Sequence, residues 1–88
     1  MSYDHPFILG AKNKLLDIEW KCCRLSELGV QQQMRSWYHT AEKWRQEARQ
    51  CYYRIIESIF RQNIQGAQEP LLELHRIKQS LIEMLKYT

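Results

Sequence analysis

The sequence predicts an all-α fold: three helices in an antiparallel, bundle-like arrangement with one long central helix. Three observations carry this. Apolar residues recur at three- and four-residue steps along the whole chain, the period of amphipathic helices rather than strands. Two prolines and three glycines in 88 residues are too few for a turn-rich β protein. The connections between the periodic segments are short, which favours antiparallel neighbours. A chain of this length makes a single domain, residues 1–88. Helices are expected at about residues 5–28, 31–64 and 70–87.

The first helix is read as starting beside Asp4, whose carboxylate caps the free amides, with Pro6 tolerated in the first turn. Ile8, Ala11, Leu15, Ile18, Cys22 and Leu25 then repeat at helical spacing. Gly29 is the expected stop, taking the left-handed conformation at C′, with Val30 at C″ packing on Leu25. Gly10 is an internal weakness of about 1 kcal/mol relative to Ala.

The second segment, Gln31 to Gln65, contains no Pro and no Gly. It holds two of the three tryptophans and three of the five tyrosines. Read as one helix, it would be about 50 Å long at ~1.5 Å per residue, longer than a small globule is wide. Gln31, Gln32 and Gln33 offer no good N-cap, whereas Ser36 does. Gly66 is the expected end. The third helix is read as starting with Pro70 at its first position after Glu69. Leu71, Leu74, Ile77, Leu81, Met84 and Leu85 form its apolar face.

The long helix carries two stripes. Met34, Trp37, Ala41, Trp44, Ala48, Cys51, Ile55 and Ile59 form a core seam, with large residues alternating with small ones. Beside it run Tyr38, Arg45, Arg49, Tyr53, Ile56 and Phe60. Tyr, Arg and large apolar groups are the composition of interface hot spots. Tyr38, Arg45, Arg49, Tyr53 and Phe60 are therefore the candidate partner-binding residues. The competing reading is that helix 1 or helix 3 covers this stripe as a second wall of the core.

Motifs for chemistry are missing. His5, His39 and His75 belong to no metal-ligand pair, and Cys22-Cys23 lacks the Cys-x-x-Cys spacing of zinc or redox sites. No glycine-rich phosphate loop occurs. The expectation is no enzyme, no catalytic residue, no cofactor and no metal. An odd number of cysteines without a disulfide framework points to a reducing compartment. No secretory signal and no run of ~20 apolar residues is present, so the expected location is the cytoplasm, with no membrane partner. The formal net charge of +3 lies wholly on residues 31–65, which hold six basic and three acidic side chains. Arg35, Lys43, Arg54 and Arg61 are the candidate nucleic-acid contacts. Glu42, Glu47 and Glu57 are interspersed among them, and no helix-turn-helix or basic-zipper pattern accompanies them. Nucleic acid thus ranks behind a protein partner.

The segment Arg35-Ser36-Trp37-Tyr38-His39-Thr40-Ala41-Glu42-Lys43-Trp44-Arg45-Gln46-Glu47-Ala48-Arg49 resembles the long Trp/Tyr/Gln/Arg-rich helices of small temperate-phage accessory proteins. Those of lambda-like phages inhibit or modify the host RecBCD recombination nuclease. The resemblance implies a larger host protein as partner, in a host cytoplasm. DNA-mimicking inhibitors present a dense negative surface, and this chain is net positive. The resemblance therefore implies docking on a protein subunit rather than plugging of a DNA channel. The leading expectation is a non-enzymatic protein-interaction module of this kind. The alternatives are a nucleic-acid-binding accessory protein and a structural helical homodimer.

Overall fold

The computed structural model describes residues 5–86, which form three α-helices: α1 (Pro6–Gln31), α2 (Arg35–Phe60) and α3 (Ile64–Lys86). No strand occurs among the described residues. Each helix packs against both others, so the core runs down the middle of a triangular bundle. The bundle measures 45 × 18 × 17 Å. A helix of 26 residues is about 39 Å long at ~1.5 Å per residue. Each helix therefore spans most of the rod.

This corrects the expectation of one overlong central helix, because α2 is no longer than α1. Gln31 belongs to α1 and Ile64 to α3, and two tight turns cut the segment at its ends. Both turns are Schellman motifs. In the first, Gln33 stands at φ 57°, Met34 N–H donates to Gly29 O at 2.7 Å and Gln33 N–H to Val30 O at 3.2 Å. In the second, Gln62 stands at φ 59°, Asn63 N–H donates to Ser58 O at 2.8 Å and Gln62 N–H to Ile59 O at 2.9 Å. The motif was expected at Gly29, and Gly66 was the expected end of the second helix, but a glutamine takes the left-handed position each time.

Both glycines serve helix approach or capping instead. Gly29 is buried inside α1, and a Cβ there would lie 3.0 Å from Met34 O and 3.1 Å from Tyr38 N. The start of α2 can pass this close only over a residue without a side chain. Gly66 lies in the first turn of α3, where its N–H donates to Asn63 Oδ1 at 3.1 Å. Asn63 thus closes α2 and caps α3. Pro70 is buried within α3 rather than at its first position, so its ring acts as a core residue. The expected Asp4 cap lies outside the described residues. His5 is the N-cap of α1, its Nδ1 accepting from Phe7 N–H at 3.1 Å, and Pro6 follows in the first turn as expected.

The core matches the periodicity closely. Ile8, Ala11, Leu15, Ile18, Cys22 and Leu25 are buried from α1, and Ala41, Ala48, Cys51, Ile55 and Ile59 from α2. Trp37 and Trp44 are half-buried against its edge, and Met34 is exposed ahead of α2. Leu74, Ile77 and Leu81 complete it from α3, joined by Ala67. No helix among the described residues is long and apolar enough to cross a membrane.

Candidate interaction surface

The second stripe of α2 divides into residues bound to α1 and residues left at the surface. Arg49 Nε donates to Glu19 Oε1 at 2.6 Å, tying α2 to α1. That carboxylate holds the Arg49 guanidinium above its ordinary pKa. Arg45 is half-buried, its Nη1 lies 3.6 Å from Glu42 Oε1, and its Nε is buried without a hydrogen bond. Ile56 packs on the core edge. Tyr38, Tyr53 and Phe60 remain exposed, Tyr53 most of all at 65%. The structure thus keeps the three aromatic candidates on one outer flank. It uses Arg49 to hold two helices together and turns Arg45 partly inward.

The Arg49–Glu19 pair also sets the register between the antiparallel helices. Val30 follows Glu19 on α1 by as many residues as Tyr38 precedes Arg49 on α2, so the two come level in the antiparallel pair. These two do line one shallow hollow, with Gly29, Gln33, Arg35 and His39. One turn in the other direction, Tyr53 comes level with Leu15 and Leu16. The aromatic flank of α2 therefore borders a second apolar strip on α1 that the sequence reading did not single out. Leu9, Leu16, Trp20 and Val30 stand there exposed, along with the Cys23 thiol. A signal existed for it. Leu9, Leu16, Cys23 and Val30 each follow a core residue by one, at seven-residue steps. A helix apolar on two sides has a blurred period, and the stronger buried seam hides the weaker outer one.

The basic residues are not gathered into one patch. Arg54 and Arg61 share a shallow hollow with Glu57, whose carboxylate holds Arg61 at 2.9 Å. Arg35 stands at the other end of α2 beside Tyr38 and His39. Lys43 is exposed, about 16 Å along the helix from Arg54 at ~1.5 Å per residue.

Burial raises the Cys22 thiol to about 11, and it raises Cys51 as well, so both stay protonated near neutrality. All three cysteines are free. No group of three or more His, Cys, Asp or Glu among the described residues is placed to hold a metal ion. The surface therefore offers apolar and aromatic contact with an ion pair at its centre. No protein-family model, curated protein or solved structure matches the chain.

Proposed function

We propose that this chain is a non-enzymatic protein-interaction module that docks through the outer flank of α2. The observation that carries the reading is that three helices close a full core while Tyr38, Tyr53 and Phe60 stay at the surface on one flank. Aromatic side chains bring large contact area at low entropic cost, which is why they dominate hot spots. The Arg49–Glu19 pair lies between Tyr38 and Tyr53 along α2 and supplies polar orientation within the surface. The free thiols fit work in a reducing cytoplasm.

The resemblance of residues 35–49 to phage helices makes a host recombination nuclease of the RecBCD type the first partner to test. A net positive chain suits docking on an acidic protein surface better than imitation of DNA. The experiment is affinity capture from bacterial extract with mass spectrometry, followed by titration with the recovered partner. Tyr53→Ala combined with Phe60→Ala is expected to weaken capture at least about tenfold, as removal of hot-spot aromatics does. Helicity should be unchanged, because both side chains are exposed. Full-strength capture by the double variant would sink the reading.

A further inference from the structure

We infer that the outward face of α1 pairs with the same face of a second copy of this chain, antiparallel, about a two-fold axis near Trp20. This lies on a different helix from the proposed partner surface and goes beyond it. Four residues at seven-residue steps on α1, Ile8, Leu15, Cys22 and Gly29, are buried in the core. The next residue in each case is also apolar and faces solvent: Leu9, Leu16, Cys23 and Val30. Trp20 stands among them at 66% exposure, with Leu16 at 54% and Val30 at 68%. The corresponding residues after Ala67 and Leu74 on α3 are Gln68 and His75, the polar choice expected at a solvated face, and Ile82 after Leu81 is apolar but partly buried. A strip that repeats every seven residues over about 32 Å of helix is the pattern of a helix seam.

Charge selects the occupant and its direction. A two-fold interface must be self-complementary, because the same patch serves both sides. In the antiparallel pairing, Leu9 meets Val30 of the second copy and Leu16 meets Cys23. Lys12, exposed and without an ion pair among the described residues, then meets Glu27. Glu27 has only a 4.0 Å contact from the Cys23 thiol in its own chain. Each contact occurs twice by symmetry. A parallel pairing in register would set Glu27 against Glu27 within the seam, so it is disfavoured. Covering the strip also adds buried apolar surface to a chain whose own folding buries only about 60–65% of its unfolded surface.

Sedimentation equilibrium of the full chain over a wide concentration range tests this. A concentration-dependent monomer–dimer equilibrium is expected. Leu16→Lys should abolish it without loss of helicity. Lys12→Glu alone, or Glu27→Lys alone, should weaken it about tenfold, since each replaces two attractions by two repulsions. The double charge swap should restore it. A strict monomer at every concentration overturns the inference, as does a dimer indifferent to Leu16→Lys or a charge swap that fails to rescue. A monomer would leave the α2 partner reading standing, whereas a dimer that captures no partner would sink that reading alone.

Discussion

A methyl group added at Gly29 and one added at Gly10 are expected to act in opposite directions. At Gly29 it would press on backbone, with Met34 O at 3.0 Å and Tyr38 N at 3.1 Å, and on Trp37 Cβ at 3.2 Å. Backbone at a helix start cannot swing aside as a flexible side chain can. Gly29→Ala should therefore destabilise by about 1–2 kcal/mol despite its better helix propensity. At Gly10 nothing lies within 4 Å. Gly10→Ala should stabilise by about 0.5–1 kcal/mol through propensity alone. Urea unfolding of both variants checks the pair, and a stabilising Gly29→Ala would show that the helix approach is looser than described. The sequence marks both glycines as special but does not distinguish a stop signal from a close approach. That difference lies in what packs against them.

At the scale of elements, the apolar seams were legible and the helix ends at the two turns were not. Every α1 core residue named from periodicity is buried, because the period reports directly which face leaves water. The ends turned on Gln33 and Gln62 in the left-handed region, where an ordinary side chain costs about 1 kcal/mol or more and local sequence favours glycine. The Schellman hydrogen bonds and the closing of the bundle offset that cost. Links between helices are likewise non-local. Asp17 receives Lys21 Nζ at 2.7 Å within α1 and Lys78 Nζ at 3.4 Å from α3. The hydrogen bond from Lys21 is the largest cause lowering the Asp17 pKa from its ordinary 3.8. A carboxyl depressed in the folded state contributes stability above its unfolded pKa and loses it as pH falls through the folded one. The site is partly exposed, so solvent screening keeps the effect small. Asp17→Asn should cost about 0.5–1 kcal/mol near neutral pH. Chemical denaturation against pH should show the two proteins converging as acid protonates the carboxyl; a gap that persists there would assign the effect to packing instead.

At the scale of the molecule, the three helices share one core with no separable layer. Unfolding should therefore be a single cooperative transition. Trp37 and Trp44 sit half-buried at the core edge, so their fluorescence and the far-ultraviolet helical signal should change together. An earlier loss of one signal would mean that a helix detaches on its own. The rod shape also changes the meaning of a long helix. In a body 45 Å long, a helix of 26 residues is a stave of the bundle and needs no partner to explain its length. What points to an interaction surface is instead the set of apolar residues left outside.

The class, the three amphipathic helices and most residues of their buried seams were legible from the chain alone, Met34 being the seam residue left exposed. Those follow from local periodicity, which each segment carries alone. The tertiary structure decided where the helices turn, which of the stripe residues Tyr38, Arg45, Arg49, Tyr53 and Phe60 stay at the surface, and that α1 is apolar on its outer face too. Arg49 reads as an interface residue until Glu19 of another helix is seen 2.6 Å away. Exposure is a property of what packs against a residue, and only the assembled bundle specifies that.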